Sequence, residues 1–128
     1  MSPAADAQAF LDRAQRANVM AADCPSRVVL QHVTSRWGTL VLLALLAGGT
    51  LRFSELRRRV GGVSERMLAQ TLQVLEGDGL IRRHAHQVVP PHVDYALTPL
   101  GAEAAERVLS LAGWIEANLP RLLQARAA

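Results

Sequence analysis

Lysine is absent from this chain of 128 residues, and cysteine occurs once, at position 24. A single thiol excludes a framework of disulfides within the chain and any zinc cage built on several cysteines. The longest purely apolar run, from Leu40 to Ala47, is eight residues long, whereas a membrane helix needs roughly 20. The chain does not open with basic residues followed by an apolar stretch, so we expect a cytoplasmic protein that is neither secreted nor inserted in a membrane.

Without lysine, arginine supplies all of the permanent positive charge. The 14 arginines outnumber 11 acidic residues, which gives a net charge of +3. Arginine suits bidentate contacts with phosphate and guanine, but a GC-rich genome produces the same excess, so position is more informative than number. Residues 51–83 hold seven arginines against four acidic residues, whereas the flanking segments are nearly neutral. The positive charge therefore belongs to the middle of the chain.

The first half of the chain has the periodicity of helices. Hydrophobic residues make up 50% of the sequence, enough for one globular domain with a modest core. Apolar spacing predicts a first helix over residues 3–19, and Pro25 begins a second because proline is favoured in the first helical turn. The apolar run after Trp37 predicts a buried central helix that ends at Gly48-Gly49.

The basic segment contains the pattern of a helix-turn-helix. Residues 51–53 have the length of a short sheet bridge, and residues 54–60 predict a two-turn helix followed by a turn at Gly61-Gly62. Ser64 is a preferred N-cap for a longer helix over residues 64–77. We expect the inward stripe of that helix to comprise Met67, Leu68, Leu72 and Leu75. Two helices joined by a short glycine turn form a helix-turn-helix.

A β-hairpin and a long helix complete the pattern. Residues 80–89 and 92–97 favour strands separated by Pro90-Pro91. Thr98 caps a last helix over residues 99–119, whose apolar face comprises Leu100, Ala104, Val108, Leu111 and Ile115. The chain is thus predicted to be mainly α-helical with a small β-hairpin, the plan of a winged helix-turn-helix. Residues 1–22 would form an N-terminal dimerisation helix, 23–119 the DNA-binding domain with its C-terminal dimerisation helix, and 120–128 a tail.

Several motifs together carry a family resemblance. They are Cys24-Pro25, Trp37, LRFSEL at 51–56, VSERML at 63–68, LEGDGL at 75–80 and VPPHVDYALTPLG at 89–101. With these motifs, residues 24–118 resemble the HxlR-type winged helix-turn-helix family of bacterial transcriptional regulators. The chain departs from that family at residues 34–37, which read Thr-Ser-Arg-Trp rather than Gly-Gly-Lys-Trp, and at His92, where arginine is common.

The solvent face of residues 64–77 is the candidate recognition surface. Arg66, Gln70 and Gln73 follow i, i+4, i+7 spacing, and these residue types can bind guanine and adenine edges in the major groove. Glu65 shares the face and is a further candidate for base contacts. The alternative is that this polar face is only solvated. The candidate contacts to the DNA backbone are Arg52, Ser54, Arg57, Arg58, Arg59, Ser64, Thr71, Arg82, Arg83 and His92.

A two-fold dimer is expected from the geometry of DNA, because two half-sites one helical turn apart require two recognition helices. The first and last helices have spare apolar faces. The candidate interface residues are Phe10, Leu11, Trp37, Val108, Leu111, Trp114 and Ile115. We therefore predict a homodimeric repressor that binds a near-palindromic operator in double-stranded DNA.

Cys24 is the candidate sensor of the regulator. It precedes Pro25 at the expected start of a helix, where unpaired N–H groups stabilise a thiolate, although the neighbouring Asp23 opposes this effect. The family resemblance implies that a cysteine here senses oxidants or electrophiles. The alternatives are an inert small hydrophobic residue at this position and a regulator whose effector is a small aromatic ligand at the dimer interface.

Two other classes of function are alternatives. A winged-helix protein-interaction module without DNA binding leaves the basic middle segment unexplained. An enzyme needs a nucleophile with a base, or a metal cluster, and Cys24 is about sixty residues from the histidines of the hairpin. His84 and His86 share one strand face, but no acid or thiol is close to them in sequence, so we expect no metal site, no cofactor and no catalysis.

Overall fold

The computed structural model describes residues 2–12 and 19–127. Within these residues, the chain forms seven helices and a small sheet of three strands. They are α1 (Pro3–Asp12), α2 (Pro25–Thr34), α3 (Arg36–Gly48), β1 (Leu51–Arg52), α4 (Phe53–Arg59), α5 (Glu65–Gly77), β2 (Ile81–His86), β3 (His92–Leu97), α6 (Pro99–Ala117) and α7 (Leu119–Ala127). This order confirms the predicted mainly α-helical fold with a hairpin. Residues 13–18 of the predicted first helix lie outside the described residues.

Local signals in the sequence set the ends of the helices. Proline occupies the first turn of α2 and of α6, as expected. Helix α3 ends at Gly49, whose φ of 76° lies in the left-handed region, where glycine has no steric penalty. Thr98 caps α6, because its side-chain oxygen accepts a hydrogen bond from the N–H of Gly101 at 2.9 Å. These ends match the sequence predictions.

Helix α3 is the centre of the fold and packs against α2, α4, α5, α6 and β3. Its buried side chains join those of α4 and α5 in one apolar core. The most completely buried are Val41, Leu42, Leu45, Leu56, Leu68, Leu72 and Leu75. Since burying one such side chain contributes roughly 1.5–3 kcal/mol, this core holds both helices of the helix-turn-helix on a common support.

The strands form an antiparallel sheet in the order β1-β3-β2. The central strand β3 pairs with β1 at Tyr95 and Asp94 and with β2 along its whole length. The hairpin of β2 and β3 is the wing. Because side chains alternate between the faces of a strand, residues 81 and 83 share the inner face with the core, whereas residues 82, 84 and 86 share the outer face.

Helix α5 differs from its prediction at one position. Leu68, Leu72 and Leu75 are buried as expected, but Met67 is 39% exposed. The prediction that Met67 belongs to the inward stripe is wrong. One residue rotates a helix by roughly 100°, so Met67 lies at the edge of the buried face and lines a groove beside Trp37.

Helix α6 packs through Gly101, Ala105 and Val108, so only part of the predicted apolar stripe is buried. Gly101 and Ala105 are buried together with Val108, whereas Leu100 and Leu111 are 60% and 57% exposed. A Cβ atom on Gly101 would lie 1.7 Å from the carbonyl oxygen of Leu80. The small residues allow this close approach, and the bulky side chains therefore lie beside the packed face, in solvent.

The C-terminal residues form a helix where the sequence predicts a tail. In α7, the N–H of Leu122 donates a hydrogen bond to the carbonyl oxygen of Asn118 at 3.0 Å. Pro120 lies in the first turn, where its missing N–H costs nothing. Helix α7 packs against α6.

Among the described residues, no single helix is both long and apolar enough to cross a membrane. Helices α2 and α3 meet that requirement only together, by length and composition, and they are bent by 67° at the break between them.

Candidate nucleic-acid interface

Helix α5 presents a polar face on the side opposite its buried leucines. Arg66, Gln70 and Gln73 are all exposed, and their spacing places them along one line of the helix. Arg66 takes part in none of the ion pairs found within residues 2–12 and 19–127. The structure thus leaves the predicted recognition face accessible from solvent.

Ser64, the N-cap of α5, and Thr71, within α5, differ in whether their hydroxyl groups are free to donate a hydrogen bond to a phosphate. The Oγ of Ser64 accepts a hydrogen bond from the N–H of Met67 at 3.1 Å, which confirms the predicted cap and leaves the hydroxyl proton available for donation. The hydroxyl of Thr71 instead donates to the carbonyl oxygen of Met67 at 2.7 Å. A phosphate offers only acceptors, so Thr71 is not placed to bind one in this conformation.

The three arginines that end α4 have different surroundings. Nη1 of Arg57 lies 2.8 Å from Oε1 of Glu65 and links α4 to the first turn of α5. The side chain of Arg59 extends to the end of α3: its Nη1 would lie 2.7 Å from a Cβ atom placed on Gly48. That position is the negative end of the α3 dipole. Of the three arginines, Arg58 alone has no such contact within the described part of the chain.

Two open clefts border the recognition face. The cleft between α4 and the start of α5 is lined by Phe53, Ser54, Arg57, Arg58 and Glu65. The cleft between α5 and the wing is lined by Ala69, Leu72, Gln73, Glu76, Arg83 and Tyr95. Ser54 is exposed. Arginine side chains therefore line a cleft on each side of α5: Arg57 and Arg58 on one side and Arg83 on the other.

The arginines of the sheet lie on two different faces. Arg83 shares the inner face with Ile81 and lines the cleft beside α5. Arg82 and Arg52 lie on the outer face, and Nε of Arg52 is 4.0 Å from Oδ1 of Asp94. The sequence predicts one basic surface from these three arginines; strand alternation divides them instead.

The histidines of the wing contact one another on the outer face. Nε2 of His86 lies 2.5 Å from Oδ2 of Asp94. The rings of His86 and His92 stack with centroids 4.3 Å apart, and His84 meets His86 edge-on at 4.4 Å. His92 is the first residue of β3 and pairs with His86 directly beside the turn that forms the wing tip.

Cys24 occupies the N-cap of α2, as predicted. Its carbonyl oxygen accepts a hydrogen bond from the N–H of Val28 at 3.2 Å, but its thiol forms no cap hydrogen bond. The residue is 5% exposed. In this conformation an oxidant reaches the sulfur only after neighbouring residues move.

The candidate interface residues divide into exposed and buried groups. Phe10 is 46% exposed, and the side chains of α6 are similarly open, with Trp114 at 57% and Ile115 at 41%. Leu11 is half-buried. Val108, by contrast, is 8% exposed and belongs to the hydrophobic core, and Trp37 packs against that core. Val108 and Trp37 therefore stabilise the fold of the single chain, and they are not exposed in the way that Phe10, Trp114 and Ile115 are.

A groove of about 170 Å³ lies between α2, α3 and α5. Trp37 contributes to its lining, together with Met67 and Gln70. Ligand pockets usually measure about 300–1,000 Å³. The volume of this groove in the single chain is therefore below that of a typical binding site for a small aromatic effector.

The architecture is that of a winged helix-turn-helix regulator, with α4 and α5 as the helix-turn-helix and β2 and β3 as the wing. Residues 32–122 match the family model of the HxlR-like helix-turn-helix, and the chain belongs to that family. The resemblance found in the motifs is thereby confirmed. The protein is a transcriptional regulator of the helix-turn-helix type.

Several relatives resemble the chain over most of its length. It is 62% identical over 109 residues to the uncharacterized HTH-type transcriptional regulator YtfH of Escherichia coli (strain K12), covering 85% of this chain and 86% of that protein. The solved structure of a putative transcriptional regulator, ytfH from Salmonella typhimurium, is 59% identical with a TM-score of 0.82, covering 88% and 99% of the two chains. The redox regulator HypR in its oxidized form is 34% identical with a TM-score of 0.67, covering 74% and 97%.

Proposed function

We propose that this protein is a homodimeric, sequence-specific DNA-binding regulator that places α5 of each subunit in a major groove. The observation that carries the proposal is the exposed line of Arg66, Gln70 and Gln73 on a helix whose opposite face is fixed in the core. A rigid helix with one polar face is the element that major-groove recognition requires. The concentration of arginines in residues 51–83 favours this role over a module that binds only proteins.

The side chains divide into base-reading and backbone-binding groups. Arg66 binds guanine through two hydrogen bonds, and Gln70 and Gln73 bind adenine edges. Ser64 and Arg58 contact phosphates beside the start of α5, and Arg83 reaches the backbone from the wing. These phosphate contacts supply salt-dependent affinity without sequence information. Glu65 holds Arg57 in place, so its role in reading bases is secondary.

The decisive experiment compares Arg66→Ala with the parent protein on an operator selected from random duplex DNA. One bidentate arginine–guanine contact contributes about 1–3 kcal/mol of discrimination, so the ratio of operator to random-sequence affinity should fall by about tenfold. Arg107→Ala is the matched control, because Arg107 is exposed on α6, in a different helix. Unchanged discrimination in Arg66→Ala would overturn the assignment of α5.

The dimer is supported by exposed apolar side chains on several helices. They are Phe10 on α1, Val28, Val29 and Leu30 on α2, Leu100, Leu109, Leu111, Trp114 and Ile115 on α6, and Leu123 on α7. Large exposed apolar patches are uncommon on monomers and mark surfaces that bind other proteins. A second copy of the chain is the partner that a two-fold operator requires.

We further propose that oxidation of Cys24 changes operator binding. The support is the similarity to HypR, named a redox regulator and solved in reduced and oxidized forms at 32% and 34% identity to this chain. Hydrogen peroxide takes two electrons and two protons from the Cys24 thiols of a dimer, which yields one intersubunit disulfide and two waters. That route needs the two α-carbons within about 7 Å; otherwise a mixed disulfide or an oxyacid forms at the single thiol.

Operator titrations with and without peroxide or a quinone, in the parent protein and in Cys24→Ser, test the redox proposal. We expect a response only in the parent, and equal responses in both proteins would remove Cys24 from the mechanism. The direction of regulation is tested separately by fusing the operator to a reporter gene. A repressor lowers reporter expression when it is supplied, and an increase would establish an activator instead.

A further inference from the structure

The outer face of the wing brings together three side chains that are separated in the sequence. His86, His92 and Asp94 each offer one ligand atom, and these atoms lie within 4.8 Å of one another. The strand register pairs His86 directly with His92, and Asp94 follows His92 by two residues on the same face. We propose that these three residues bind one divalent transition-metal ion of Zn²⁺ type in each subunit.

The donor set suits such an ion. Two imidazoles and one carboxylate form an open zinc site whose fourth position is taken by water, and imidazole also suits nickel and copper. Metal–ligand bonds of about 2.1 Å place tetrahedral ligands about 3.4 Å apart. A separation at the 4.8 Å limit therefore has to shrink by little more than 1 Å, whereas the 2.5 Å contact between His86 and Asp94 has to lengthen by about 1 Å. Side-chain rotation supplies both changes while the paired strands keep the backbone in place.

A metal rearranges the contacts already made within the cluster, including the stacked rings of His86 and His92. The ion takes the place of the hydrogen shared by His86 and Asp94, whose nearest atoms move apart from 2.5 Å. In the neutral ring that hydrogen moves to Nδ1, so the imidazole binds the metal through Nε2 without a change of its own charge. Two arginines share the outer face with the site: Arg52, whose Nε is 4.0 Å from Oδ1 of Asp94, and Arg82, which lines the same pocket as His86 and Asp94. The Arg52 side chain is 55% exposed, so it can turn into solvent when a cation occupies the site.

The position of the cluster gives the metal a structural effect. His86 is the last residue of β2 and His92 is the first of β3, so one ion joins the strands on both sides of the turn that forms the wing tip. Occupancy also adds two positive charges to the wing and releases Arg52. These changes in charge should raise the affinity of the wing for DNA, and this expectation rests on the proposed function. Metal binding itself does not depend on that function.

The test is a titration of the full chain with Zn²⁺ and with Co²⁺ in the absence of DNA. The Cys24→Ser background removes the single thiol as a competing ligand. We expect one equivalent of metal per subunit and visible absorption of tetrahedral Co²⁺. The variants His86→Gln, His92→Gln and Asp94→Asn should each weaken Zn²⁺ binding by about tenfold or more.

His84→Gln and His32→Gln are the matched controls, because each removes a histidine that lies outside the three-residue cluster. Both should retain the parent affinity. Far-UV circular dichroism and thermal unfolding without metal check that each variant folds, and Zn²⁺ should raise the melting temperature of the parent but not of Asp94→Asn. Absence of stoichiometric binding, or an equal loss in His84→Gln, would overturn the three-residue site. Operator affinity of the metal-free protein reports on the proposed function independently.

Discussion

Nδ1 of His32 lies 2.7 Å from Oδ2 of Asp78, and this contact joins the helix that begins after Cys24 to the end of the helix that carries the recognition face. His32 belongs to α2, and Asp78 is the C-cap of α5. Within the described residues, α2 and α5 also pack directly. A displacement of α2 would therefore be transmitted to α5 through these direct contacts and not through the wing.

Replacing Asp78 tests this connection. Asp78→Asn removes the charge of the carboxylate but keeps its shape, and we expect it to lower the free energy of unfolding by about 1 kcal/mol, because His32 is 30% exposed and water weakens the interaction. Denaturation in urea measures the change. Glu76→Gln, on the exposed surface two residues earlier, is the control. Equal losses in the two variants would contradict the assigned contact.

The arginines of α4 are expected to separate into two types. Arg58→Ala should lower the affinity for operator DNA and for random DNA by the same factor. It should also reduce the slope of log affinity against log salt concentration by about 1. Arg59→Ala removes a cation from the C-terminal end of α3 and should lower thermal stability while leaving the salt slope nearly unchanged. Mobility-shift titrations at several salt concentrations distinguish them. A larger slope change for Arg59→Ala would reverse the assignment.

Glu65 is expected to oppose DNA binding in general. Glu65→Gln removes a negative charge near the phosphates and releases Arg57 from the ion pair at 2.8 Å. We expect affinity for operator and random DNA to rise together by about threefold, since an exposed pair contributes only about 0–1 kcal/mol. The same titration has a second informative outcome. A loss confined to the operator would mean that Glu65 accepts a hydrogen bond from cytosine.

Two substitutions on helix α6, one exposed and one buried, test the proposed dimer interface. Leu111→Glu places a charge on an exposed position, so the variant should stay folded but shift toward monomers in sedimentation velocity. Val108→Glu buries an unpaired charge in the core of the subunit and should cost several kcal/mol of folding free energy, visible in circular dichroism. A folded dimer of Leu111→Glu would exclude this part of α6 from the interface.

Two glycines of α6 predict opposite changes in stability. Gly101→Ala drives a methyl group into the carbonyl oxygen of Leu80 and should cost about 2–3 kcal/mol or more. Gly113 has no atom within 4 Å of its potential Cβ and lies within the helix. Gly113→Ala should therefore stabilise the protein by about 0.5–1 kcal/mol. Thermal unfolding of the two variants measures both changes.

The candidate site was predictable where it depends on one helix. Ser64 caps α5, and the line of Arg66, Gln70 and Gln73 is exposed, because capping and helical spacing act over only three to seven residues. Met67 marks the limit of that reasoning. The sequence shows that the helix has an apolar face, but the rotation of the helix against α3 sets which residues lie at its edge.

The starts of α2, α5 and α6, the end of α3, the wing and the family follow from the sequence alone, because prolines, glycines and N-caps restrict the backbone locally. Pro120 carries the same kind of signal as Pro25 and Pro99, and it accounts for α7. The tertiary structure decided the contacts between elements: the burial of Cys24, the approach of Gly101 to Leu80, and the three-residue cluster on the wing. These depend on strand register and helix rotation, since no nearby residue in the sequence determines which side chain of a distant element will face it.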